Sequence, residues 1–260
     1  MMKKEDQHIE TWTEEKVKRR TFFAFAAYAA LGATGFMSWR WFKNLPTSDN
    51  GLSTPSRKVL NFNERLNDGF FSEQRLAPTF PRSQAANPAR ANGDIGINEN
   101  IEQNAWRLEF VHPVTGISTY AALQDVKSLP KEDIVFDFKC IEGWNEIVHY
   151  TGVKLSDLMA KFNLGKKENG RDWYRYVGLE TPDGEYYVGL DMKSALHPQT
   201  LLCFESNGAP LTVKHGAPLR LIIPVKYGVK NLKCIGKLTL SDTPPKDYWH
   251  ENGYEYDAAL

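Results

Sequence analysis

Cysteine is scarce in this chain: three in 260 residues, at positions 140, 203 and 234. So small and odd a number excludes a disulfide-stapled scaffold. With no CxxC pair and no clustered histidines, it also excludes a structural zinc site of the usual spacing. Net charge is missing too. Thirty-two Lys and Arg balance thirty-two Asp and Glu, so no bulk electrostatic attraction draws the chain to nucleic acid or to an anionic surface, and a dedicated nucleic-acid binder is excluded. There is no Gly-rich dinucleotide fingerprint, no P-loop and no internal repeat. What is present is ordinary globular material. At 42% hydrophobic and 25% charged residues, the chain can build one good-sized core or two small ones, and wholesale disorder is ruled out.

The first distinctive stretch runs from Phe22 to Trp39, FFAFAAYAALGATGFMSW, eighteen residues without a charge. As a helix it would be about 27 Å long, close to the hydrocarbon thickness of a bilayer. Trp39, Trp41 and Phe42 beside Arg40 and Lys43 suit the headgroup level at its far end. Lys3, Lys4, Lys16, Lys18, Arg19 and Arg20 precede the apolar stretch, so the expected orientation keeps the N-terminus in the cytoplasm. Arg19-Arg20 before an apolar segment also matches a twin-arginine export signal. No A-x-A cleavage site follows, which favours an uncleaved anchor. The expected division is therefore a cytoplasmic N-terminus over 1–20, a transmembrane signal-anchor over 21–42, a linker and arm over 43–105, and a folded body over 106–260 outside the cytoplasmic membrane.

Residues 44–105 are rich in Pro, Asn, Ser and Gly and show no sustained periodicity. Phe62, Phe70, Phe71 and Phe80 are expected to anchor this arm on the body. From Trp106 the pattern is dense: WRLEFV, DIVFDFKC, YRYVGLE, EYYVGLD, TLLCF, LRLIIPV and KCIGKLTL read as strands. Leu155, Leu158, Met159 and Phe162 have the spacing of a short amphipathic helix. Few, short helices among many strands indicate an α+β fold with mixed sheets.

Two places could carry chemistry. Cys140 ends an apolar strand before Ile141, Glu142, Gly143 and Trp144, where a thiolate would suit a soft or thiophilic metal, although a buried thiol that merely packs has the same sequence appearance. Cys203 and Cys234, in apolar strands, are read as packed thiols. The stretch from His215 to Lys230 sets Arg220, Lys226 and Lys230 around an apolar strand, with Gly216 and Gly228 allowing close approach of backbone. Arg forks, ammonium groups and glycine-adjacent N–H groups can hold a phosphate where no Walker motif exists. A core strand with solvated flanking charges is the plainer alternative. The C-terminal segment around Tyr248 and Trp249 suggests no separate site.

FKCIEGW, ALHPQTLL, HGAPLRLIIPVKYGVKNLKCIGKL and PPKDYWHENGYEYDAAL, in that order, resemble the sulfite-oxidase-type molybdopterin-dependent oxidoreductases. Within them the chain is most similar to the periplasmic methionine-sulfoxide reductase catalytic subunits. The resemblance covers roughly Trp106 to Leu260. It implies a mixed-sheet molybdopterin-binding fold and a molybdenum-molybdopterin cofactor with Cys140 as a metal ligand and Glu142 beside the metal. It also implies that His215, Arg220, Gly228, Val229 and Lys230 line the pterin and its phosphate, and that Asn63 touches the pterin from the arm. His197 is expected only to position a turn. Sulfite oxidases carry arginine just after the ligand cysteine, where this chain has Ile-Glu-Gly-Trp. A carboxylate there would repel a dianion, so a neutral S-oxide is the expected substrate. With no CxxCH haem attachment in the sequence, electrons are expected from another protein, which the resemblance implies is a haem-containing membrane subunit or a cytochrome. Two alternatives stay open: a sulfite dehydrogenase of the same fold, and a non-catalytic binding module that kept the fold.

Overall fold

The computed structural model describes residues 14–47, 51–72, 74–97, 101–102 and 105–260. Lys3 and Lys4, used for orientation, lie outside them. The chain divides into two compact units, Met1–Ser48 and Asp49–Leu260.

The first unit holds one helix, α1 (Glu14–Lys43). Its stretch Glu15–Lys43 is long and apolar enough to cross a membrane, with a mean hydropathy of 1.3 over its most apolar 18 residues, none of them buried in protein. That agrees with one N-terminal apolar helix. It includes Lys16 to Arg20, so the expected start at residue 21 marks where charge ends and not where helix begins.

The second unit contains α2 (Thr54–Phe70), β1 (Arg107–Val111), β2 (Ser118–Ala122), α3 (Leu123–Lys127), β3 (Glu132–Lys139), β4 (Asn145–Lys154) and α4 (Leu155–Lys161). It continues with β5 (Tyr176–Glu180), β6 (Tyr187–Asp191), α5 (Met192–Leu196), β7 (Leu201–Ser206), β8 (Ala209–Pro210), β9 (Arg220–Ile222), β10 (Lys237–Ser241) and α6 (Tyr248–Glu251). One sheet has the order β2-β1-β10-β5-β6, with β1 and β10 parallel and its other pairs antiparallel. The other runs β3-β4-β7-β8, with β9 also paired to β7. This is the α+β, mixed-sheet architecture expected.

The main core lies between the sheets. Leu108, Phe110, Val177, Leu179, Val188, Leu190 and Leu238 from the first sheet share one buried cluster with Val153, Leu202, Phe204 and Leu221 from the second. Leu155, Leu158 and Met159 of α4 complete it, as their spacing predicted. The opposite face of the second sheet has its own cluster: Leu201 and Cys203 alternate with Leu202 and Phe204 along β7 and pack with Ile134, Phe136, Val148 and Ile222. Ala89, from the arm, belongs to this second cluster. The arm also pairs with the sheet through Phe80 N–H to Val135 O (2.9 Å) and Ala86 N–H to Ile147 O (2.9 Å).

The arm is not irregular throughout, which corrects the expectation. Ser53 caps α2 by accepting from Ser56 N–H, and Pro55 sits in its first turn, where a missing N–H costs nothing. Nor do all four phenylalanines anchor it: Phe71 and Phe80 are half-buried, whereas Phe62 and Phe70 are exposed. LRLIIPV yields only the three residues of β9, because the chain turns away at Ile223. β4, the strand on which Cys140's hairpin depends, has no clear signal, since His149, Thr151 and Gly152 interrupt its apolar run.

Candidate functional site

β3 and β4 pair over eight positions, from Glu132↔Gly152 to Lys139↔Asn145. The residues between them, Cys140 to Trp144, form the hairpin tip. Cys140 N–H donates to Trp144 O (2.9 Å) and Gly143 N–H to Cys140 O (3.1 Å), which needs Gly143 at φ +90°, open to glycine and strained for other residues. Sheet register therefore presents Cys140 and Glu142 on one tight turn. Both line a cavity of about 160 Å³.

The cavity's apolar wall is built by stacking. Phe138 and Trp144 lie nearly parallel with ring centroids 5.8 Å apart, and the Arg90 guanidinium sits 4.2 Å from the Trp144 ring centre. Glu142 is held in place from two sides: its Oε2 accepts from Trp144 Nε1 (2.9 Å) and from Asn92 Nδ2 (3.3 Å). Burial is the main influence pushing the Cys140 thiol above its ordinary pKa, and the Glu142 carboxylate adds to it. A cation bound at sulfur would reverse that balance.

The polar wall is cationic. Arg220, on β9, is buried; its Nη1 donates to Tyr150 Oη (2.8 Å) and to the His215 carbonyl (3.0 Å), and its Nε is buried without a partner among the described residues. Lys233 donates to the carbonyls of Asn92 (2.8 Å) and Gly93 (2.7 Å). Burial, then the positive charge of Arg220, pull the Lys233 pKa down to about 8, with Asp94 opposing weakly. Neither cation has an ion-pair partner among the described residues. Two cations without an ion-pair partner among the described residues line one cavity, and one of them keeps an orphaned buried N–H, which fits an anionic group such as a phosphate.

The expected site residues divide accordingly. Cys140, Glu142, Arg220, Gly228 and Val229 line the cavity. At Gly228 a Cβ would come within 2.6 Å of the Phe138 ring, so the close approach does require glycine. His215 does not line it: its ring meets Thr212 Oγ1 (2.7 Å) and Ala89 O (3.0 Å), and only its carbonyl reaches Arg220. Lys230 is turned away and buried, donating to Gly189 O (2.9 Å) and to Asp247. Asn63 is exposed on α2, outside the cavity lining. His197 accepts the Gln199 N–H at Nδ1 (3.2 Å), holding the turn after α5. Sequence reasoning missed Lys233, Asn92, Tyr186, Trp249 and Tyr254, all of which line the cavity. The three cysteines form no disulfide, and Cys203 and Cys234 are buried.

Residues 95–249 match the family described as oxidoreductase molybdopterin binding domain. The chain belongs to that family. It is a molybdenum-dependent oxidoreductase, and its cofactor is molybdenum bound by molybdopterin. A relative from Azospira oryzae, the subunit YedZ1, is 30% identical over 81% of this chain and 78% of its own length. The protein-methionine-sulfoxide reductase catalytic subunit MsrP of Xanthomonas axonopodis is 31% identical over 48% of this chain and 42% of its own. MsrP of Campylobacter jejuni is 27% identical over 60% of this chain and 55% of its own. The chain thus spans about half the length of these named catalytic subunits. Among solved structures, sulfane dehydrogenase SoxCD of Paracoccus pantotrophus is similar at a TM-score of 0.48 and 20% identity, over 56% of this chain and 40% of that one.

Proposed function

We propose that the cavity at the β3–β4 tip holds the molybdenum cofactor, with Cys140 as the protein's ligand to the metal, and that the reaction is reduction of S-oxides, methionine sulfoxide among them. The observation that carries the reading is the meeting of a thiol with two cations, Arg220 and Lys233, in one cavity. Among the described residues no group of three His, Cys, Asp or Glu could hold a metal. A single protein thiolate suits a metal whose other donors are the cofactor's own sulfurs.

When bound, the cofactor supplies two-electron oxygen-atom transfer. The chain's residues do the rest. Arg220 and Lys233 hold the phosphate, Arg220 being aimed by Tyr150 and the His215 carbonyl. Phe138 and Trp144 wall the site with apolar surface that excludes water. Glu142, fixed by Trp144 and Asn92, sets negative charge beside the thiolate, which opposes entry of a dianion such as sulfite and leaves a neutral S-oxide acceptable. In the net reaction a sulfoxide takes up two electrons and two protons and gives the thioether and one water, with electrons from a haem-containing membrane subunit or a cytochrome. α1 serves as an uncleaved membrane anchor that keeps the body outside the cytoplasmic membrane and near that donor. Arg19-Arg20 serves as a twin-arginine signal.

The test is an assay of the full chain, made in a host that synthesises molybdopterin, with reduced viologen as electron source. Methionine sulfoxide should be reduced and Cys140→Ala should abolish turnover while the protein stays folded. Oxidation of sulfite without reduction of any S-oxide, or full activity in Cys140→Ala, overturns the reading.

A further inference from the structure

α2 has two faces, and the body uses one of them. The inner face is polar and committed: Arg57 Nη1 donates to the Tyr254 carbonyl (3.2 Å), Asn67 Nδ2 to Glu255 Oε1 (3.2 Å), and Glu64 Oε1 accepts from Tyr256 N–H (2.8 Å). The outer face is apolar. Val59, Phe62, Leu66 and Phe70 are 59%, 58%, 44% and 73% exposed. At 3.6 residues per turn they fall within one arc of roughly 80°. Lys58 and Arg65, both exposed, border that arc beside Phe62. Single exposed apolar side chains need no explanation, but four in register along one helix do.

Connectivity narrows what can cover them. α1 ends at Lys43 and α2 begins at Thr54, so the ten intervening residues carry α2 no more than about 40 Å from the end of α1. An apolar stripe with basic residues on its margin is the pattern of a helix lying in a membrane interface. The tether also raises the local concentration of lipid surface, so weak docking suffices.

We infer that the outer face of α2 docks on the surface of the membrane that α1 crosses, with Val59, Phe62, Leu66 and Phe70 entering the headgroup–acyl boundary and Lys58 and Arg65 meeting anionic headgroups. This rests on the anchoring reading of α1. It also ties docking to the site, because the inner face of α2 braces the segment whose Trp249 and Tyr254 line the cavity. Docking therefore holds that wall of the cavity in a fixed relation to the membrane, where a membrane-borne donor resides.

The experiment uses the full chain in nanodiscs of phosphatidylcholine and phosphatidylglycerol containing a lipid with a photoactivatable group on its upper acyl chain, with labelled residues mapped by mass spectrometry. Labels are expected over 22–39 and on Phe62, Leu66 and Phe70. The double variant Phe62→Glu, Leu66→Glu should lower labelling of α2 by about tenfold or more and leave that of 22–39 unchanged. Labels over 22–39 with none on α2 overturn the docking and leave the anchor standing. Absence of labels over 22–39 overturns the anchor itself. An unlabelled α2 in a chain that native mass spectrometry finds dimeric assigns the stripe to a second copy and also overturns the docking.

Discussion

Arg220 and Lys230 are both buried cations near the same strand, yet their surroundings give them opposite tasks. Lys230 is 1% exposed and paired with Asp247, which is buried as well. Lys230→Met strands a buried carboxylate, so stability should fall by about 3–5 kcal/mol in denaturant titration while cofactor content per folded molecule holds. Arg220→Ala should do the reverse, releasing the pterin at a modest stability cost, as measured by pterin fluorescence after gel filtration. Lys233 adds a pH signature. Its folded-state pKa of about 8 lies below the ordinary 10.5, so between those values the unfolded chain binds more protons and folding stability rises with pH. In cofactor-free protein, the melting-temperature difference between the wild type and Lys233→Met should shift in favour of the wild type as pH rises across that window, because the buried thiols and tyrosines whose pKa values are raised act alike in both. Bound phosphate should remove that shift. The sequence could not separate these roles. Lys226, Lys230 and Lys233 look alike along KYGVKNLK, and only folding reveals that Asp257 and Asp247 neutralise the first two. The turn after Cys140 was legible from Gly143 at the end of an apolar strand, but the residues alone did not separate a thiol that lines a cavity from one that only packs.

At the scale of elements, the site depends on the β3–β4 hairpin and on the arm laid across it. Asp133 joins the two: it accepts from Thr151 and pairs with Arg82 of the arm at 2.9 Å, and His149 lies 3.3 Å away. The hydrogen bond from Thr151, helped by the His149 hydrogen bond and the Arg82 charge and opposed by burial, holds the Asp133 carboxyl below its ordinary pKa. Because Asp133 and Arg82 are about half exposed, Asp133→Asn should loosen the arm by only about 0.5–1 kcal/mol. Faster hydrogen exchange at the Phe80 and Ala86 amides would show it, and unchanged exchange would deny that Asp133 holds the arm. β4 was illegible for the same reason that it is stable here. His149 and Thr151 look wrong for a buried strand until Arg82 and Asp133, far away in sequence, satisfy them. α2 was hidden by Asn, Gly and Pro, which read as loop, although its four outward apolar residues recur at helical spacing.

For the whole molecule, the two sheets enclose the main core, and the cavity forms where the β3–β4 tip, the arm, the β9–β10 connection and the C-terminal segment converge. Strand-rich composition made the α+β class legible. That convergence is a property of topology, which is why Asn92, Tyr186, Trp249 and Tyr254 carried no sequence signal. The central claim is that Cys140 supplies sulfur to molybdenum in this cavity. X-ray absorption at the molybdenum edge tests it most directly, on the purified full chain and on Cys140→Ser, both made where molybdopterin is available. The wild-type protein should show one more sulfur neighbour at molybdenum than the variant, which should show oxygen in its place. Identical sulfur shells in the two proteins would contradict the account.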